Sequence, residues 1–207
     1  VRKFMQDDAH IFCTPEQLKQ VILETIVMVD EVYKSFGFEY KVELSTRPKD
    51  SMGAEELWNT ATRALHEALN ARKMKFELRE GEGAFYGPKI DFHVQDSLGR
   101  TWQCGTIQAD FQMPERFELT YIGKDDKEHQ PVMVHRAIYG SLERFIGILV
   151  EHYNGKFPLW LSPVQAKVLP LSDKFTEYAQ RVHCKMLEEG IRSELGTGDG
   201  TLQYRIR

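Results

Sequence analysis

Hydrophobic residues recur along this chain with two periods, and the switches between them mark the elements. From Phe4 to Phe12 the period is two, which predicts an opening strand with Phe4, Gln6, Asp8 and His10 on one face. Thr14-Pro15-Glu16-Gln17 then reads as a helix start, with Thr14 and Gln17 spaced as a capping box. Leu18, Val21, Ile22, Ile26, Val29, Val32, Tyr33 and Phe36 follow at helical spacing, and Gly37 suits the end. Tyr40, Val42 and Leu44 alternate as a strand. A second helix is predicted from about Ala54 to Arg72, with Leu57, Ala61, Ala64, Leu65, Ala68 and Leu69 on one stripe.

Beyond it the texture changes. Phe76 to Arg79 reads as a short strand, and Gly81 to Lys89 as a glycine-rich loop. Ile90, Phe92 and Val94 alternate with Asp91, His93 and Gln95. Asp96 to Arg100 turns the chain, and Trp102 to Phe111 returns as the second strand of a hairpin. Tyr121 to Asp126 suggests another strand end and turn. Pro131 to His135 leads into a helix with Ile138, Leu142, Phe145, Ile146 and Leu149, whose first turns hold Gly140 to Arg144. Hairpins with few helices predict an α+β fold, an antiparallel sheet with helices packed on it. Phe157 to Pro163, with two prolines, marks a boundary, so domains are expected at 1–157 and 158–207. In the second, Ala166 to Leu169 and Ile191 to Leu195 read as strands flanking a helix from Asp173 to Glu189. This is the start of a βαβ unit that the chain is expected to leave unclosed.

Composition narrows the class. Of 207 residues, 42% are hydrophobic and 28% charged, as in an ordinary globular protein. No apolar run is long enough to span a membrane. A net charge of −4 excludes a uniformly basic nucleic-acid surface but not a local patch. Three cysteines without motif spacing suit a reducing compartment. No signal-peptide pattern opens the chain, and its two ends look cut, so a fragment of a longer protein is expected.

Several residue sets could carry chemistry. The strand face from Phe4 to His10 suits either a polar cavity or a solvated edge. His10 and His135 are candidate zinc ligands, with Cys104 a conceivable third. The three glycines, Tyr86 and Lys89 of the 81–89 loop fit either a ligand-contacting loop or a tight structural one. Thr106, Gln108 and Asp110 share a face by period two, with Cys104 on it and Gln103 nearby; this suits small-molecule recognition or open solvent. Arg144 could bind an anion or extend into water.

Taken together, these segments resemble the threonyl-tRNA synthetases, which are class II aminoacyl-tRNA synthetases. The match rests on Phe4 to Phe12, Leu44 to Pro48, Gly81 to Lys89, Trp102 to Gln108, Val134 to Ile138 and Gly140 to Phe145, in the family's order over essentially the whole chain. The resemblance implies a partial class II catalytic core followed by the beginning of an α/β anticodon-binding domain. It implies ATP-dependent attachment of threonine to its tRNA through a threonyl-adenylate. His10 and His135 would be two zinc ligands, the third being a cysteine upstream of this chain, which displaces Cys104. Asp8 would accept the threonine hydroxyl. Gln6, Tyr86, Lys89 and Gln108 would contact the adenylate. Phe4 would stack on adenine, Gln103, Thr106 and Ser141 would neighbour the adenosine, and Arg144 would hold the γ-phosphate. Lys89, Gln108 and Arg144 would be the catalytic set, with Mg²⁺ accompanying ATP. The family also implies a cytoplasmic homodimer. The motif 2 arginine and motif 1 would lie outside this chain, so the segment alone is expected to be inactive. The alternatives are another class II synthetase, such as prolyl or seryl, or a non-catalytic synthetase-like binding module. Asp8, His10 and His135 argue against prolyl, whose substrate has no hydroxyl.

Overall fold

Strand β1 starts later than the alternation predicts and runs Ala9–Cys13. The cause is Asp7. Its carboxylate accepts backbone N–H groups from Ile138 (2.8 Å), Tyr139 (3.0 Å) and Gly140 (3.1 Å), and Arg136 donates to it at 3.3 Å. Three amides converging on one side chain tie Asp7 to the 138–140 segment ahead of the strand, and Gln6 makes only an isolated bridge with Ser141. This computed structural model describes residues 2–196 and 200–206.

Helix α1 (Leu18–Phe36) follows, then β2 (Tyr40–Ser45), α2 (Glu55–Ala71) and β3 (Glu77–Arg79). Half of the expected capping box forms: the Thr14 amide donates to Gln17 Oε1 at 2.9 Å. Gly37, at φ 72°, ends α1 in the left-handed conformation that an L side chain resists. The hairpin β4 (Lys89–Gln95) and β5 (Thr101–Asp110) is joined by the 96–100 turn. After it come α3 (Gln112–Arg116), β6 (Tyr121–Ile122), β7 (Glu128–His129), β8 (Val132–Ala137) and α4 (Leu142–His152). Residues 132–137 are strand, and Gly140 and Ser141 precede the helix rather than forming its first turn. Gly140, at φ 66°, makes the corner, where a Cβ would stand 2.6 Å from the Cys104 carbonyl.

Six strands form one sheet in the order β1-β8-β5-β4-β2-β3, antiparallel except for β2 and β3. Directly paired residues share a face, so the register sorts the side chains. Leu44, Ile90 and Ile107 form a row on one face, with Val42 and Phe92 beside it. Helices α1 and α2 cover that face with Leu18, Ile22, Ile26, Val29, Leu65, Ala68 and Leu69, all buried. On the other face a polar row crosses four strands: Lys89, Gln108, His135, His10. Beside it runs Glu43, Asp91, Thr106. The helices thus fix one side of the sheet and leave its polar side for chemistry.

The hairpin turn is tied by Asp96. Burial alone would raise its carboxyl. Hydrogen bonds from Trp102 Nε1, Arg100 Nε and the Arg100 and Leu98 amides outweigh burial and hold it at about 2. The unfolded value is about 3.9. A folded value below the unfolded one stabilises the fold above that unfolded value, and the contribution is lost as pH falls toward 2. Asp96→Asn is therefore expected to lower the thermal midpoint of the full-length protein at pH 7. It should also flatten the midpoint's decline between pH 4 and pH 2. An acid limb as steep as the parent's would show that Asp96 does not set it.

Contacts divide the chain into units Val1–His152 and Tyr153–Arg207. The Phe157 ring lies 6.0 Å from that of Tyr153, inside the second unit. There β9 (Ala166–Val168), α5 (Thr176–Glu188) and β10 (Ser193–Leu195) precede a short α6 (Leu202–Ile206). The two strands pair in parallel, Ser193 with Ala166 and Leu195 with Val168. The βαβ unit therefore closes within the chain, contrary to the sequence expectation, because the 190–192 turn is short enough to bring β10 directly back beside β9. Among the described residues no helix is long and apolar enough to cross a membrane.

Candidate active site

His10 and His135 face each other across the β1–β8 ladder, with ring centroids 4.8 Å apart and planes at 83°. His135 Nε2 lies 2.8 Å from Asp110 Oδ2. A carboxylate only accepts, so Nε2 carries the proton and Nδ1 keeps the lone pair in the neutral ring. Asp110 is fully buried, and its other oxygen accepts the Gln112 and Met113 amides at 2.7 and 3.0 Å. The Tyr86 ring stands 5.8 Å from His135. Burial raises the Tyr86 phenol above its ordinary value, and the charges of Asp110 and Asp8 add to this. Asp8 thus belongs to the same neighbourhood. A cleft of about 320 Å³ opens here, lined by Met52, Phe85, Tyr86, Met113, Arg116 and His135.

The 81–89 loop is placed by close backbone packing. A Cβ on Gly83 would lie 2.5 Å from the Thr46 carbonyl, and one on Gly87 2.2 Å from that of Ala109. These two glycines are thus explained structurally, and their packing brings Tyr86 and Lys89 to the polar face. Gln108 Nε2 donates to the Gly87 carbonyl at 3.3 Å.

A β-bulge alters the parity of β5. Phe92 pairs with Gly105 and His93 with Gln103, leaving Cys104 as the extra residue. Strict period two puts Cys104 on the polar face; the bulge instead puts Gln103 there, beside Thr106. Cys104 is buried, and burial pushes its thiol up to about 11. In register it stands away from the histidine pair, and among the described residues it joins no metal-holding group with them.

At the far end, Phe4 and Met5 run beside the start of α4. Leu142 N donates to the Met5 carbonyl at 2.9 Å, and Met5 N donates to the Glu143 carboxylate. Ser141 Oγ donates to Glu143 at 3.1 Å, and Gln6 bridges Ser141. Arg144 donates to the Gln103 carbonyl. Phe4 is 58% exposed. The structure thus gathers His10, His135, Tyr86, Gln108 and Asp8 at one end of the polar face. Lys89, Gln103 and Thr106 stand in the middle, and Phe4, Gln6, Ser141 and Arg144 at the α4 end.

Sequence reasoning missed Asp7 and Asp91. Asp91 is buried and receives side-chain hydrogen bonds from Lys89, Gln103 and Thr106. Its position two residues after Lys89 on an alternating strand was the available signal. Asp110 was seen as a polar-face residue, but not as the partner of His135.

Two facing imidazoles, one oriented by a buried carboxylate, fit part of a zinc site. Among the described residues no third histidine, cysteine or carboxylate joins them in a metal-holding group.

Residues 1–153 match the family model for the tRNA synthetase class II core domain (G, H, P, S and T). Over all 207 residues the chain is 59% identical to a threonine–tRNA ligase of Carboxydothermus hydrogenoformans. It is 61% identical to one of Caldanaerobacter subterraneus subsp. tengcongensis. It spans 33% and 32% of those proteins, about a third of their length. A crystal structure described as the RNA binding domain of threonyl-tRNA synthetase from Cryptosporidium parvum superposes on all of this chain and 52% of its own, with TM-score 0.90 and 45% identity. Apo histidyl-tRNA synthetase of S. aureus, 12% identical, shares the fold over 99% of this chain and 61% of its own, with TM-score 0.60. With the match covering most of its length, the chain belongs to the class II tRNA synthetase core-domain family.

Proposed function

We propose that this chain is part of a threonine–tRNA ligase, comprising a section of the catalytic core and the beginning of an anticodon-binding domain. The observation that carries the reading is the cross-strand pair of His10 and His135, set beside Asp8, Tyr86 and Gln108 on the polar sheet face. The 59–61% identity to threonine–tRNA ligases supports it. In the reaction, the threonine carboxylate attacks the α-phosphorus of ATP and pyrophosphate leaves. The terminal ribose hydroxyl of tRNA then takes the acyl group and AMP leaves.

His10 and His135 would hold zinc, with a further ligand from outside the described residues; when bound, the ion supplies a Lewis-acidic partner for the amino group and hydroxyl of threonine. Asp110 keeps the His135 ring in the required tautomer. Asp8 accepts a hydrogen bond from the substrate hydroxyl. Gln6, Tyr86, Lys89 and Gln108 contact the adenylate, with Lys89 placing positive charge near the reacting phosphate. Phe4 stacks on adenine, Gln103, Thr106 and Ser141 border the adenosine, and Arg144 binds the γ-phosphate. Mg²⁺ enters with ATP as part of the substrate. Catalysis is then positioning and charge stabilisation, with no side-chain nucleophile. The full-length protein is a cytoplasmic homodimer on the same reading.

The test is amino-acid-dependent exchange of pyrophosphate into ATP by the full-length protein, offered glycine, histidine, proline, serine and threonine in turn. Threonine is expected to drive exchange, with serine the strongest of the others because it keeps the hydroxyl. Exchange driven by proline or histidine would overturn the reading.

A further inference from the structure

We infer that Asp91, a residue with no role in the assignments above, is the positioning residue that sets the hydrogen-bonding polarity of the nucleotide-facing side chains. The inference rests on the reading of the polar face as a synthetase site. Asp91 is 3% exposed and stands at the centre of that face, between Glu43 on β2 and Thr106 on β5. Its Oδ2 accepts the Lys89 ammonium at 2.5 Å. Its Oδ1 accepts Gln103 Nε2 at 2.7 Å and also the Thr106 hydroxyl. Gln103 Nε2 additionally donates to Thr106 Oγ1 at 3.2 Å. Glu43, the neighbouring carboxylate in the row, is engaged elsewhere: Arg79 donates to it at 3.0 Å and His93 Nε2 stands 3.3 Å away.

The consequence follows from donor and acceptor inventory. A carboxylate facing an ammonium offers only acceptor sites. It therefore forces the Gln103 amide to turn its nitrogen inward and its oxygen outward. It also consumes the single proton of the Thr106 hydroxyl, leaving that oxygen with lone pairs alone. Both side chains are then presented to the ligand as acceptors. They complement a part of the nucleotide that carries donors, such as the ribose hydroxyls, and they disfavour anionic oxygens. Gln103 is exposed, so without Asp91 its amide would be free to present either end. Arg144 donates to the main-chain carbonyl of Gln103, which β5 fixes independently of the side-chain amide. One buried carboxylate thus orients three side chains directly.

A charge-relocation cycle in the full-length protein tests this. Asp91→Asn replaces one inward acceptor with a donor, so the Gln103 amide can reverse. Gln103→Glu sets two carboxylates against each other. Each single variant is expected to raise the KM for ATP by about tenfold or more. The double variant Asp91→Asn/Gln103→Glu restores one donor facing one acceptor and still presents an oxygen outward. It is expected to return the KM for ATP to within about threefold of the parent, while the KM for threonine stays near the parent value throughout. If a single variant does not fold, a folded double variant with near-parent KM supports the same pairing. A double variant as impaired as the two singles combined would overturn the inference and leave the threonine reading intact. A parent protein in which threonine drives no exchange would overturn both.

Discussion

His135→Ala is expected to strip zinc from the full-length protein and to cut threonine-dependent pyrophosphate exchange by well over 100-fold. The magnitude follows by comparison. Losing a carboxylate that merely orients a ligating histidine costs about 10–100-fold in metal affinity or activity. With His135 as the proposed ligand, Asp110, 2.8 Å from its Nε2, would be such a carboxylate, so Asp110→Asn should fall in that range. Removing the imidazole itself takes away the ligand as well as its orientation, and the loss should be larger. Two readouts separate this from structural damage. Metal analysis should find about one zinc per parent chain and far less in the variant. The thermal midpoint of the metal-free parent should match that of the variant. A buried His–Asp pair with a purely structural role would behave differently: the variant would unfold at lower temperature while the zinc content of what stayed folded was unchanged. A fully active parent without zinc would remove the ligand assignment altogether.

How far the sequence foretold this site depended on whether the information was local. Helices α1 and α2 were legible because their stripes are long and strongly periodic, and Gly37 marks an end that glycine tolerates. The α+β class was legible from hairpins such as β4–β5, whose turn residues sit between two alternating runs. What failed was parity and partner. The Phe92/His93 bulge leaves no trace in composition, yet it exchanges Cys104 for Gln103 on the polar face. Asp7 and Asp8 are adjacent and identical in type; only the amides of residues 138–140, far along the chain, distinguish a structural anchor from its exposed neighbour. Asp91 looked like any charged residue of a solvated strand face. Its burial arises from neighbouring strands that bring Gln103 and Thr106 over it. The His10–His135 pair is a product of register, which depends on every residue of β1 and β8 together. Family resemblance supplied the pairing that periodicity could not.

Asp8→Ala is expected to lower discrimination between threonine and valine by roughly 10- to 150-fold in pyrophosphate exchange, corresponding to the loss of a hydrogen bond to a charged group worth about 1.5–3 kcal/mol. Valine and threonine have the same shape, so an apolar pocket would separate them poorly. A site that must satisfy its own polar groups with the substrate hydroxyl rejects the analogue by about 10⁴–10⁵. Asp8 is exposed in this structure and close enough to Tyr86 for its charge to act on the phenol. It can therefore meet a ligand entering the cleft, which the anchored Asp7 cannot. Serine provides the control. It retains the hydroxyl and lacks only the methyl group, so Asp8→Ala should weaken threonine and serine together and leave their ratio nearly unchanged. A threonine-to-valine ratio equal to the parent's would remove Asp8 from hydroxyl recognition. Equal shifts in both ratios would point instead to a general loosening of the cleft. The selectivity of the change, more than its size, identifies a carboxylate that reads one hydroxyl.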